Sequence, residues 1–158
     1  MKTRLSLVIL VIAVSLAAQQ TTQGTGSKKR LLTEKDLFDF VWVANPQVSS
    51  DGARVVFTRV NCDAKRTGYE TSIWITATNG MQPPVRLTSG KHDVQPRWSP
   101  DGKQLVFVRS GDKDETGRLK PGQLAILSLE GGEARLITDL PKEASNPVWS
   151  PDGKRSPS

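Results

Sequence analysis

From residue 42 onward the apolar positions come in short bursts separated by turn residues. The runs Val55-Val56-Phe57 and Leu105-Val106-Phe107 are continuous, β-branched and aromatic. Such runs suit strands buried on both faces. Each follows a turn tetrad, Ser49-Ser50-Asp51-Gly52 or Ser99-Pro100-Asp101-Gly102. Pro presets the first central position of a type I turn, Asp bonds its local backbone, and Gly takes the positive φ that reverses the chain. Ser50 replaces Pro in the first copy, a change that type I turns tolerate.

The pattern repeats. Residues 45–59 and 95–109 align without gaps, and residues 146–155 begin a third copy. The marker aspartates Asp51, Asp101 and Asp152 are 50 and 51 residues apart. Pro46, Pro96 and Pro147 are expected to begin a strand, where a missing N–H costs least. Val48, Trp98 and Trp149 follow two residues later, on the proline's face, as apolar bodies for packing between layers.

Each unit has a looser second half. Residues 72–76 and 123–127 read as a third strand, followed by hairpin turns at Asn79-Gly80 and Gly131-Gly132. Residues 85–88 and 134–138 read as a fourth. Polar connections over 61–71 and 111–122 join the second strand to the third. Four antiparallel strands in about fifty residues make one propeller blade. The predicted fold is all-β: an incomplete β-propeller of two blades and the start of a third, over residues 42–158.

Upstream the period differs. Thr33 reads as an N-cap with Glu34 and Asp36 in the first turn, at the positive end of the helix dipole. Leu37, Phe40 and Val41 at i, i+3, i+4 spacing predict a short helix over 33–41 with one face on the core. Residues 19–32 are rich in Gln, Thr, Gly and Ser and read as a flexible linker. Residues 1–18 read as a signal peptide. Lys2 and Arg4 precede the apolar run Leu5–Leu16, and Ser15 and Ala17, or Leu16 and Ala18, supply the small residues before the cut. This run of twelve residues, ten of them apolar, falls short of the roughly 20 that span a bilayer. The expected location is therefore secreted or periplasmic, with membrane anchoring if the signal is not cleaved. No Cys follows the run, which argues against a lipid anchor.

Composition narrows the function classes. The formal net charge is +6, two of the positive charges being Lys2 and Arg4. Only Lys28-Lys29-Arg30 is clustered, which reads as a solvated tether. A nucleic-acid partner needs a basic face interleaved with aromatics, and none is expected. Cys62 is the single cysteine, so an internal disulfide and cysteine-pair metal chelation are both excluded. It reads as an incidental loop thiol.

No catalytic, cofactor or metal residue is assigned. His92 is the only histidine and falls between two blades. Its neighbour Asp93 would point away from it on an extended segment, and a catalytic base needs a nucleophile and an orienting acid. One Asp per blade at Asp51, Asp101 and Asp152 fits turn chemistry better than calcium, which takes six or more clustered oxygens. Trp98 and Trp149 fit blade packing better than ligand stacking. Gly131-Gly132 lacks the Lys-Ser/Thr that completes a phosphate loop.

The elements Trp98-Ser-Pro-Asp-Gly-Lys103 and Trp149-Ser-Pro-Asp-Gly-Lys154 resemble the repeat of TolB-type, WD-like propellers. The same repeat occurs in the N-terminal propellers of prolyl-oligopeptidase-family serine peptidases, including dipeptidyl and acylaminoacyl peptidases. The resemblance covers Leu31–Arg155, and the lead-in Leu32–Leu37 resembles the entry segment of the secreted peptidases. It implies a partner in cis, an α/β-hydrolase domain carrying Ser, Asp and His with the nucleophile in G-x-S-x-G, and short peptides as substrates. No G-x-S-x-G occurs in the 158 residues, so no catalytic residue is carried over. The chain alone is expected to be inactive. The alternative is a TolB-like periplasmic binding propeller that works by contact.

The third copy keeps register to Arg155 and continues as Ser156-Pro157-Ser158 where the others carry their apolar strand. The expectation is a truncated gene product or gene-prediction fragment, an open arc with an unpaired, aggregation-prone edge.

Overall fold

The computed structural model describes residues 30–153. The expected signal peptide, most of the expected linker and the residues after Gly153 lie outside the described residues. The chain divides into two units at 32/33; of the first, only residues 30–32 are described, without regular structure.

The second unit opens with a 3₁₀ helix, Glu34–Asp39. Asp36 Oδ2 accepts from the Thr33 amide at 2.6 Å and from its hydroxyl at 2.9 Å, closing a capping box. The helix is shorter than the 33–41 expected. Phe40 is extended and Val41 already pairs with Asn61 in the first sheet. Val41, Trp42 and Val43 are β-branched or aromatic, and their ladder prevails over the weak helical period. Leu37, Phe40 and Val41 are correspondingly exposed, so the face predicted to meet the core does not.

Two four-stranded antiparallel sheets follow, each a meander in sequence order. The first contains β1 (Val41–Val48), β2 (Arg54–Cys62), β3 (Tyr69–Ala77) and β4 (Val85–Arg86). The second contains β5 (Asp93–Trp98), β6 (Gln104–Arg109), β7 (Gln123–Ser128) and β8 (Arg135–Leu136). Both expected blades are present, and the third copy forms its turn, with the Gly153 amide donating to Ser150 O at 2.9 Å.

The prolines do not begin their strands. Pro46 and Pro96 lie inside β1 and β5 at a bulge, between Ala44 and Gln47 and between Val94 and Arg97. A bulge leaves a residue unpaired, so the missing N–H is harmless there. The residue before each proline takes positive φ: 49° at Asn45, 57° at Gln95 and 49° at Asn146. The connection from β2 to β3 is also shorter than predicted. β2 runs to Cys62 and β3 starts at Tyr69, leaving 63–68. Asp63 folds this loop by accepting from the Thr67 amide at 2.9 Å, which frees the flanking residues to pair. Cys62 is thus a half-buried strand residue and not a loop thiol.

The fourth strands are two residues long, against four and five expected. Thr88 Oγ1 accepts the Ile73 amide at 3.1 Å, and Thr138 Oγ1 accepts the Leu124 amide at 2.9 Å. In each sheet a threonine hydroxyl replaces the next backbone carbonyl, and the ladder ends.

The core lies between the sheets. Val56 and Ile73 of the first meet Leu105, Phe107, Ala125 and Leu127 of the second. The second sheet's other face, with Val106, Val108 and Leu124, packs against Ala144, just ahead of the third copy, and Trp149 within it. Leu105–Val108 are four successive buried residues, as predicted for a strand covered on both sides.

Candidate functional site

The turn aspartates act on their own turns. Ser49 Oγ donates to Asp51 Oδ1 at 2.5 Å and accepts the Arg54 amide at 2.9 Å. Ser99 repeats this with Asp101 at 2.6 Å and the Gln104 amide at 2.9 Å, and Ser150 donates to Asp152 at 2.6 Å. The serine hydroxyl, followed by the amide of Ala53 or Lys103, holds the carboxyls of Asp51 and Asp101 below the usual carboxylate range. Gly52, Gly102 and Gly153 sit at φ 70°, 68° and 68°, the positive values that the turn requires.

The tryptophans join sheets. Trp98 Nε1 donates to Gln47 O of the first sheet at 3.0 Å, and Trp149 Nε1 donates to Arg97 O of the second at 3.2 Å. Gln47 and Arg97 occupy the same repeat position, so the same bond is made twice. The Arg54 guanidinium lies 5.0 Å from the Trp98 ring and donates to Gly102 O at 3.3 Å. The tryptophans are half-buried and packed against the two core clusters, consistent with blade packing.

Sequence reasoning missed the ion pair at this joint. Asp93 is fully buried and receives Arg109 Nε at 2.7 Å and a terminal nitrogen at 2.9 Å. This hydrogen bond raises the Arg109 pKa further. Asp93 therefore faces Arg109 and not His92. A signal was available: Arg59 and Arg109 hold the same repeat position, and only Arg109 has an Asp at its paired position. Gly90 packs against the pair so closely that an added Cβ would lie 2.4 Å from Asp93 Oδ2.

His92 lies in the connection between sheets. It forms an isolated parallel bridge with Thr71, and its carbonyl accepts the Ser110 amide at 3.0 Å. Beside it a cleft of about 620 Å³ opens between the β2–β3 and β6–β7 connections. Its lining mixes signs: Asp63, Glu70 and Asp112 with Lys91 and Lys113, and His92 among them. Lys91 Nζ lies 3.2 Å from Glu70 Oε1. This arrangement offers binding groups of both charges. Among the described residues no three His, Cys, Asp or Glu come together as a metal site, and no helix is long and apolar enough to cross a membrane.

No family model matches the chain. The chain is 40% identical over 129 residues to the uncharacterized peptidase YuxL of Bacillus subtilis, covering 80% of this chain and 18% of that protein. It is 38% identical over 56 residues to the Tol-Pal system protein TolB of Paramagnetospirillum magneticum, covering 35% of this chain and 12% of TolB. Among solved structures, an acylaminoacyl peptidase of Pyrococcus horikoshii superposes with a TM-score of 0.59 at 21% identity, over 75% of this chain and 17% of that one. The β-propeller domain of the trilobed protease of Pyrococcus furiosus gives 0.58 at 22% identity, over 74% of this chain and 34% of that one. The chain thus spans a minor part of each relative it matches. Its two sheets carry the β-propeller fold, and its sequence is similar to the propeller part of a peptidase, with TolB-like repeats.

Proposed function

We propose that this chain is the non-catalytic propeller segment of an exported serine peptidase, with peptide cleavage carried out by a hydrolase domain in cis. The observation that carries this reading is the 40% identity to a peptidase over four-fifths of the chain. The propeller's part is to restrict access to short peptides. A short peptide bears an ammonium and a carboxylate at its ends, and the cleft beside His92 offers acidic and basic side chains to both. The positive start and apolar run of residues 1–18, read as a leader, support a secreted or periplasmic location.

The pure chain should not turn over an aminoacyl-naphthylamide. Turnover abolished by a serine-directed inhibitor would overturn the non-catalytic reading. Sequencing the reading frame past codon 158 tests the rest: further blades followed by G-x-S-x-G, Asp and His support the peptidase. Further blades followed by a stop favour a TolB-like contact protein, the reading that the 56-residue match supports.

A further inference from the structure

Four glycines of the chain follow an aspartate or asparagine: Asp51-Gly52, Asn79-Gly80, Asp101-Gly102 and Asp152-Gly153. Asn79-Gly80 lies in the hairpin between β3 and β4, and its backbone copies the others. Gly80 sits at φ 68°, as Gly102 and Gly153 do. Asn79 Oδ1 accepts the amide two residues on, that of Met81, at 3.0 Å. Asp51 and Asp101 accept the Ala53 and Lys103 amides in the same way, each at 3.0 Å.

The restraints on the four differ. The amides of Gly52, Gly102 and Gly153 each donate to a serine carbonyl at 2.9 Å, whereas Gly80 reaches Ala77 O only at 3.4 Å, beyond the usual range. A serine hydroxyl donates to each aspartate, and the residue at that place before Asn79 is Ala77. Asn79 and Gly80 are exposed, and a Cβ at Gly80 would meet nothing within 4 Å. Nothing packs on this turn to keep it closed.

The chemistry differs too. The Gly80 nitrogen, on losing its proton to solvent, can bond to Asn79 Cγ. The Cγ–Nδ2 bond then breaks, and Nδ2 takes a proton from solvent and leaves as ammonia. Water opens the resulting succinimide at one of its two carbonyls. One route leaves aspartate; the other leaves isoaspartate, with the main chain running through the former side chain. The Met81 amide on Oδ1 draws electron density from Cγ and favours the attack. Asp51 and Asp101 are held in the ionised form, and a carboxylate resists the same attack.

We infer that Asn79 is a site of spontaneous covalent modification, closing on Gly80 to a succinimide and opening mainly to isoaspartate. Isoaspartate adds a methylene to the main chain of a hairpin whose strands share only the pairs Trp74–Arg86 and Ile75–Val85. The added atom disturbs that register and loosens β4.

The test incubates the 158-residue chain in mildly alkaline buffer and follows the tryptic peptide 67–86 by mass spectrometry, with isoaspartate methyltransferase labelling. The expected result is conversion of the Asn79 amide to acid, with methyl label on this peptide and none at Asp51 or Asp101. The native rate should fall within about tenfold of the rate in urea, because an exposed turn opens at little free-energy cost. Asn79→Gln should abolish the conversion, since its longer side chain must close a larger, slower ring. In the isoaspartyl form, hydrogen exchange of the Leu87 amide, which donates to Ile73 O at 2.8 Å, should quicken. An Asn79 that stays intact in the folded chain while converting in urea overturns the inference. So does conversion to aspartate without methyl label, or equal labelling at Asp51 and Asp101. Unchanged exchange at Leu87 overturns the loosening of β4.

Discussion

The two sheets are built from the same repeat, yet their equivalent faces differ in chemistry. At the joint, the second sheet offers Trp98, Asp93 and Arg109; at the same positions the first has Val48, Val43 and Arg59. Trp98 reaches a carbonyl of the neighbouring sheet, and Val48 has no donor to do so. Asp93 neutralises Arg109, and Val43 offers Arg59 nothing. The backbone turns are alike in both copies, down to the Ser–Asp bond and the positive φ of the glycine. The difference teaches that the turn makes a sheet, while a handful of side chains decides what the sheet is joined to.

The comparison breaks most sharply in the core. Phe107→Ala empties a fully buried position between the sheets and should cost about 3–5 kcal/mol in urea unfolding. Phe57→Ala, at the equivalent position, should cost less, because Phe57 is buried to 9% exposure but lies outside the cluster between the sheets that holds Phe107. Next comes Asp93→Ala. It strands the Arg109 cation at the joint, and breaking a buried pair typically costs about 3–5 kcal/mol, here toward the lower end because Arg109 is partly exposed. Val43→Asp, which places a carboxylate opposite Arg59, should by contrast be neutral or stabilising, read as an unchanged or raised melting temperature.

Trp98→Phe keeps an aromatic ring but loses the wider indole and its N–H to Gln47 O, the hydrogen bond alone being worth about 1 kcal/mol. Val48→Trp should change stability little, unless a covering sheet supplies a carbonyl. The smallest effect is at the turns and shows only in acid. Asp101 is held below its ordinary value of 3.8, so its contribution is complete above that value and is lost as pH falls through the lower, folded one. Asp101→Asn should flatten the stability-versus-pH curve in that acid window and leave the neutral range almost untouched. The exposed setting of the carboxyl keeps this slope shallow.

Much of this was legible in the sequence because local chemistry decides it. The Ser-Pro-Asp-Gly tetrads fix turns through bonds that span two to five residues, and the apolar runs fix the second strands. What escaped was decided at a distance. The bulges at Pro46 and Pro96 depend on pairing with the neighbouring strand. The helix over 33–41 shrank because Val41 found Asn61, twenty residues on. The Asp93–Arg109 pair spans sixteen residues and becomes visible only once β5 and β6 are in register. For the loop-end cleft, the sequence showed polar connections but not that two of them converge beside His92.

One feature reaches beyond the native state. Both indole bonds run backward along the chain: Trp98 docks on residues already made, and so does Trp149. A ribosome releases the polypeptide from its N-terminus, and domains fold as they emerge. Each newly synthesised sheet therefore meets its carbonyl acceptor in place, and no sheet waits on an indole partner not yet translated. Each joint can therefore form as soon as its later sheet emerges.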